Sequence, residues 1–304
     1  MTLIIITGPT ASGKTAISVD IAQKIGGEIV GADSIQIYKD LVIGSAAPTE
    51  DEMKGIPHHL VGTHPLSVEM NAGKYITEAI SVVNDIVSRG KVPVMTGGTN
   101  FYVDAFLNGL SPVPEISDEE KKLFEKSTAG IETSVLYRKL LETDPDWADR
   151  ISSPNDRQRI NRGLEVFEIT GIKLSEWNKM QRINGYQGDF LAIGIDVDRE
   201  KLYENIGIRT EKMVISGLVD EVRKINSEGY NISNCKPLAS IGYKEAALYL
   251  QGSIPTEKEM IETIALNTRH LAKRQLTWLK NRNYIKWERN SSIIESVFHY
   301  LTRN

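Results

Sequence analysis

An α/β fold on a parallel sheet, interrupted by a helical insertion, is predicted by three features of the sequence. The apolar run Leu3 to Ile6 leads straight into a glycine-rich anion-binding signature, Gly8 to Thr15. Short β-branched runs then alternate with segments of helical periodicity through the first hundred residues, the pattern of strands paired in parallel through crossovers. From Ser117 to about Gln181 only helical periodicity remains, before Phe190 to Val197 (FLAIGIDV) returns to an apolar strand that rejoins the sheet.

The elements follow in order. Leu3-Ile4-Ile5-Ile6 is a buried strand, ended by Gly8-Pro9. Ala16 to Ile25 is helical, with Ile17, Ile21, Ala22 and Ile25 on one side and Gly26-Gly27 as the stop. Glu28 to Ala32 is a second strand. Ser67 to Arg89 is helical in its later part, with Ile76, Ile80, Val83 and Val87 in register, and Val92 to Thr96 is a third strand. The pattern changes at Pro112-Val113-Pro114. Residues 1–114 and 186–304 are therefore expected to form the α/β core with C-terminal helices, and residues 115–185 a helical insertion. From Arg199 onward the chain reads as mainly helical, ending in a long helix from about Glu257 to Asn281 that buries Ile261, Ile264, Leu271, Leu276 and Leu279.

Composition narrows the class. The 304 residues are 40% hydrophobic and 25% charged, ordinary values for a globular protein. Apolar runs are far shorter than the roughly 20 residues a membrane span needs, and the N-terminus carries no targeting pattern, so a cytoplasmic location is expected. The single cysteine, Cys235, allows no internal disulfide and reads as a packed thiol. A net charge of −4 argues against indiscriminate nucleic-acid binding, yet Arg269 to Arg289 holds seven Lys or Arg residues against one acid. Such a patch suits selective contact with a polyanion.

Gly8-Pro9-Thr10-Ala11-Ser12-Gly13-Lys14-Thr15 fits the P-loop pattern G-x-x-x-x-G-K-[ST] between a strand and a helix. Its glycines let backbone N–H groups turn around an anion at a helix N-terminus. Lys14 supplies a mobile positive charge, and Thr15 offers a hydroxyl to Mg²⁺. The loop is also a usual cradle of ATP, so nucleotide binding belongs to its expected repertoire. Asp33 follows the second strand, at the carboxyl end where open parallel sheets hold ligands, and is placed either to accept a proton or to cap a helix. The strand ending in Met95-Thr96-Gly97-Gly98-Thr99 lacks the terminal aspartate of an ATP-hydrolysing motor. His58-His59 are adjacent, and with no Cys or third His at ligand spacing they do not read as a metal site.

GPTASGKT at 8–15, ADSIQIYKDLVIGSAAPT at 32–49, HHLV at 58–61, GGTNFYVDAFLNGLSPVP at 97–114, NDRQRINRGLEVFEITG at 155–171, ASIGYKEA at 239–246 and LAKRQLTWLK at 271–280 together resemble the transfer RNA dimethylallyltransferases of bacterial type. The motifs span nearly the whole chain in family order. Gly163 departs from the pattern by standing where alanine is usual, and the carboxyl-terminal zinc finger of eukaryotic relatives is absent.

The resemblance implies transfer of a dimethylallyl group from dimethylallyl diphosphate to N6 of adenine 37, beside the anticodon, with release of diphosphate and use of Mg²⁺. It implies Thr99 near the reacting groups and Arg209 as a further diphosphate contact, although a lone Arg on a helix is more often a solvated residue. In this reading Asp33, Thr15 and Thr99 are catalytic. The transfer RNA anticodon stem-loop would meet Asp33, Ser34, Ile35, Gln36, Thr99 and Lys121. Further contacts would come from Gln158, Arg159, Ile160, Asn161 and Arg162, and from Tyr243, Lys244, Lys273, Arg274 and Lys280. On pattern alone, Ile160, Leu164 and Phe167 share a core face while Arg159 and Arg162 point elsewhere, toward RNA or toward local acids. Tyr243 and Lys244 lie in a small-residue loop able to stack on and pair with RNA. Two other classes use the same loop: a small-molecule or nucleotide kinase with the insertion as a lid, and an RNA-binding protein with a relic P-loop. A monomer is expected.

Overall fold

The computed structural model describes residues 2–303, which divide into two compact units, residues 2–107 with 186–303 and residues 108–185. The first unit opens with β1 (Leu3–Thr7), α1 (Lys14–Ile25), β2 (Glu28–Gly31), α2 (Glu50–Met53), β3 (His58–His59), α3 (Ala72–Ser88), β4 (Pro93–Thr96) and α4 (Asn100–Asn108). The second unit holds α5 (Asp118–Thr128), α6 (Thr133–Thr143), α7 (Pro145–Ala148), α8 (Arg157–Thr170) and α9 (Leu174–Trp177). The chain then returns through β5 (Phe190–Ile195), α10 (Arg199–Ile215), α11 (Leu218–Ser227), α12 (Tyr243–Leu250), α13 (Glu257–Lys280), β6 (Ile285–Glu288) and α14 (Asn290–Leu301).

The sheet is six-stranded and parallel, in the order β3-β2-β4-β1-β5-β6. β1 lies between β4 and β5 and is buried along its whole length, as its apolar run Leu3 to Ile6 requires. Ile4, Ile6, Ile29, Val94, Ile193 and Ile195 from four strands close over Ile17, Ile21 and Ala22 of α1 and Ile293 and Val297 of α14. Two strands escape the sequence reading. β3 has only two residues, and β6 (IKWE) follows a long helix in a segment whose charges mask its alternation. Both are edge strands, where pairing rather than composition makes the strand.

In the second unit, Phe124, Leu136, Leu140, Ala148, Ile151, Ile160 and Leu164 form a core of their own. Asp144 is fully buried and caps two helical starts, accepting from Trp147 N–H (3.1 Å) and Ser175 N–H (2.9 Å). Phe167, expected in that core, is instead exposed. It continues the stripe of Ile160 and Leu164 past the end of their cluster, and further along α8 the buried residue is Val166, packed with Ile116 and Leu174. Gly163 has a packing reason. A Cβ there would lie 2.6 Å from Trp147 Cδ1 and 2.8 Å from Leu140 Cδ1, in a tryptophan held by its own indole bond to the Arg159 carbonyl (3.1 Å). Alanine gains up to ~1 kcal/mol in helix propensity but meets an overpacking cost of roughly 1–3 kcal/mol. Gly163→Ala is therefore expected to lower the urea midpoint; a raised midpoint would show that α6 and α8 yield freely.

Candidate active site

The phosphate loop runs from the end of β1 to the start of α1 with Ala11 (φ 62°) and Gly13 (φ 89°) in the left-handed region. Gly13 supplies that conformation at no steric cost immediately before the helix begins at Lys14, two residues earlier than the sequence pattern indicates. Lys14 is buried and donates from Nζ to the Pro9 carbonyl at 2.7 Å. Ser12 Oγ is buried with no partner. The loop thus presents backbone N–H groups, a helix N-terminus and an ammonium, which fits an anion.

A single cavity joins this loop to the carboxyl ends of β2 and β4. Thr10, Lys14, Thr15, Asp33, Gln36, Thr96, Gly97, Gly98 and Arg209 line it, together with Pro48, His58 and Val61. Asp33 is no helix cap. Its Oδ1 accepts from Ile35 N–H (2.9 Å) and Gln36 N–H (3.2 Å), closing a turn, while its Oδ2 accepts from Gly98 N–H (3.2 Å). Thr99 lies across from it: its Oγ1 accepts from Ser34 N–H (2.9 Å) and donates to Ser34 Oγ (3.0 Å). Gly97 permits the approach, because a Cβ there would sit 2.0 Å from the Ala32 carbonyl oxygen.

Arg209, half-buried on α10, faces the cavity and donates to the Ser45 carbonyl at 3.2 Å. Burial lowers its pKa, opposed by the charges of Asp33 and Glu52. Lys14 is pushed down to about 7, first by burial and then by Arg209, with Asp33 opposing. Two cations held close with one carboxylate leave the pocket short of negative charge. A phosphate group supplies it.

That shift carries a pH dependence. Between about pH 7 and the ordinary lysine value of 10.5, folded Lys14 holds fewer protons than the unfolded chain, so the empty protein gains stability as pH rises through that window. A bound diphosphate favours the ammonium, so binding takes up a proton there and weakens as pH rises, by at most about tenfold per unit. Diphosphate affinity measured by calorimetry from about pH 6 to 9 should fall more steeply for the wild type than for Lys14→Met, a comparison that cancels titration of the diphosphate itself. Parallel profiles would refute the linkage.

A divalent cation would find Thr15 at the cavity wall, and among the described residues no group of three or more His, Cys, Asp or Glu could hold a metal unaided. His58 and His59 diverge as neighbours in a strand must. His58 Nδ1 donates to the Ile56 carbonyl (2.7 Å), leaving Nε2 buried and unpartnered, and burial holds its pKa below the usual value. His59 turns the other way, to Glu28 (2.7 Å).

The remaining expected contacts separate into groups. Ser34, Ile35 and Gln36 are half-buried in the turn beside Asp33, and Gln36 donates to the carbonyls of Ser45 and Ala46 (3.1 Å each). Gln158, Arg159 and Arg162 are exposed on α8, but Arg159 pairs with Asp156 (3.3 Å) and Arg162 with Glu165 (2.7 Å). Asn161 is half-buried beside them. Ile160 is wholly buried and touches no solvent, so it supports the helix rather than meeting RNA. Lys121 pairs with Asp118 (3.2 Å) on α5. Lys244 is exposed. Tyr243 is not: it opens α12 fully buried, donates to Glu221 (2.6 Å) and accepts from Ser45 N–H (3.2 Å). Its ring fills the space left by Gly44, so it cannot stack on a base. On α13, Lys273, Arg274 and Lys280 are exposed and, among the described residues, make no ion pair.

The buried stripe of α13 differs from expectation: Met260, Ile264, Ala265, Ala272, Gln275 and Leu279 are buried, while Ile261, Leu271 and Leu276 are half-buried. Gln275 and His58 are among the site residues that the sequence reading missed, as is Gly98, which bonds both Asp33 and Gln275. For Gln275 a signal existed, a polar residue four positions before Leu279 on the apolar side of a long helix.

Comparison with known proteins identifies the family. The sequence model of the family described as IPP transferase matches residues 36–282. A tRNA dimethylallyltransferase from Geobacter sulfurreducens is 39% identical over 295 residues, 97% of this chain and 94% of its own. The solved structure of a tRNA delta(2)-isopentenylpyrophosphate transferase from Staphylococcus epidermidis superposes with a TM-score of 0.70 at 33% identity, covering 99% of both chains. A eukaryotic dimethylallyltransferase solved acting on tRNA gives a TM-score of 0.77 at 28% identity, over 96% of this chain and 75% of the other. With its phosphate loop, its carboxylate at the end of β2 and this likeness over nearly its full length, the chain belongs to the IPP transferase family.

Proposed function

We propose that this protein is a tRNA dimethylallyltransferase, moving the dimethylallyl group of dimethylallyl diphosphate onto N6 of adenine 37 beside the anticodon and releasing diphosphate. The observation that carries the reading is the joining, in one cavity, of a phosphate cradle (Lys14, Thr15, Arg209) with a carboxylate at Asp33. Family membership supports the substrate class.

The adenine amine is a poor nucleophile, because its lone pair is delocalised into the ring. Two needs follow. The C–O bond to diphosphate must break as the N6–C bond forms, and Lys14, Arg209 and the loop N–H groups stabilise the charge that gathers on the leaving oxygens. The N6 proton must leave, and Asp33 Oδ2, which accepts one bond, from Gly98, has the capacity to take it. Thr99 and Ser34, bonded to each other next to Gly98 and Asp33 in the chain, would help to orient the incoming amine. Bound Mg²⁺, held by Thr15, would neutralise the diphosphate further.

The transfer RNA would rest on the unpaired cations of α13, Lys273, Arg274 and Lys280, with Lys244, Arg159 and Arg162 as further contacts; the two arginines exchange their local acids for phosphates. No described helix is long and apolar enough to cross a membrane. The protein is expected to act as a cytoplasmic monomer.

Incubation of the pure protein with labelled dimethylallyl diphosphate, Mg²⁺ and bulk transfer RNA tests the reading. Label should appear in N6-substituted adenosine after digestion, and dimethylallyl diphosphate should displace bound diphosphate at concentrations where ATP does so poorly. Phosphoryl transfer from ATP, with no label in RNA, would replace this reading with the kinase.

A further inference from the structure

Gln275 is the polar member of the buried stripe of α13, and its side chain spans two halves of the cavity wall. Oε1 accepts from Thr10 N–H at 2.8 Å, and Nε2 donates to the Gly98 carbonyl at 2.7 Å. The Gln275 carbonyl in turn accepts from Asn100 Nδ2 at 3.3 Å. Thr10 belongs to the loop that cradles the leaving diphosphate. Gly98 donates its own N–H to Asp33 Oδ2 and adjoins Thr99.

Each half has its own supports. The phosphate loop hangs between β1 and α1, and the Gly97–Thr99 segment is held against Ala32, which accepts from Thr99 N–H at 3.1 Å. What the carboxamide adds is the spacing between them. Thr10 N–H needs an acceptor and the Gly98 carbonyl needs a donor, and a neutral amide offers one of each in a single rigid plane.

We infer that Gln275 is a positioning residue of the transfer reaction, fixing the distance between the diphosphate cradle and the Asp33–Gly98–Thr99 wall at which the amine is held. The inference rests on the reaction proposed above. In-line displacement is sensitive to such spacing: a displacement of about 1 Å at the reacting atoms costs on the order of 10²-fold in rate.

Two variants test it, each read as a ratio to the wild type under the same conditions. Gln275→Leu should reduce kcat at saturating donor and transfer RNA by roughly 10- to 100-fold, while the Kd of each substrate stays within about threefold, because both halves of the site survive. Gln275→Glu adds a readout that a merely structural role would not give. A protonated glutamic acid carries an O–H donor and a C=O acceptor in the amide's plane, whereas the ionised form has acceptors only and faces the Gly98 carbonyl. Its kcat ratio should therefore climb as pH is lowered toward about 5, while the ratio for Gln275→Leu stays flat. A flat ratio for both variants, or losses confined to donor Kd with kcat retained, would overturn the inference. Failure of the wild type itself to label transfer RNA would instead overturn the proposed reaction, and the two failures are distinct.

Discussion

Asp33→Ala is expected to lower kcat by roughly 10²- to 10⁴-fold, the range for loss of a general base, while affinity for transfer RNA stays near that of the wild type. The carboxylate has two duties in the structure, and the experiment must separate them. Oδ1 closes the turn at Ile35 and Gln36; Oδ2 faces Gly98 at the cavity. Alanine removes both. The substitution Asp33→Asn keeps an Oδ1 acceptor for the turn but has no basic oxygen to receive the N6 proton. If proton transfer is the dominant duty, both variants fall together in single-turnover rates. Should Asp33→Asn retain most of its kcat while Asp33→Ala loses it, the residue is a turn former and the base lies elsewhere, with His58 Nε2 the other unprotonated group at the cavity.

The second large effect is on stability and lies at the opposite end of β2. Glu28 is 2% exposed and receives Arg89 through two bonds (Nη1 2.6 Å, Nη2 2.7 Å), Lys91 (2.9 Å) and His59 (2.7 Å). Hydrogen bonds from Arg89 above all, against the cost of burial, hold its carboxyl well below the usual carboxylate range. Breaking a buried pair costs about 3–5 kcal/mol when a charge is left stranded. Here Arg89 and Lys91 are partly exposed and can turn to water, so Glu28→Gln should cost about 2–4 kcal/mol. The sign with pH is fixed by the depressed value. The contribution is present above about 4.5, the value of the unfolded chain, and is lost as pH falls toward the folded one. Urea unfolding from about pH 7 down to 3 should therefore show the gap between wild type and Glu28→Gln narrowing with acid. Turnover should be unchanged under native conditions, since the cluster sits at the amino end of a strand whose carboxyl end carries the site. A gap that does not change with pH would mean that packing, not charge, explains the loss.

Much of this was legible in the sequence because it depends on local order. The run Leu3 to Ile6, the loop Gly8 to Thr15 and the helix after it are adjacent in the chain, so steric and hydrogen-bonding rules that act over a few residues specify them. Asp33 followed from its place at a strand's end. Other features depended on partners far along the chain. β3 and β6 are strands only because β2 and β5 lie beside them. Tyr243 read as a solvent-facing loop residue, but Glu221 and Gly44 bury it. Gly163 read only as a departure from the family's alanine, until Trp147 claimed the space that its missing Cβ leaves. The sequence by itself determined that a strand meets a helix through a phosphate-loop signature, and its motifs placed the chain in a family. Only the tertiary structure decided that His58 lines the cavity beside that loop and that Gln275 bridges two of its lining residues, because β3 is placed by pairing with β2 and α13 by burial of its apolar face, a non-directional force that leaves no local signature in the residues it gathers.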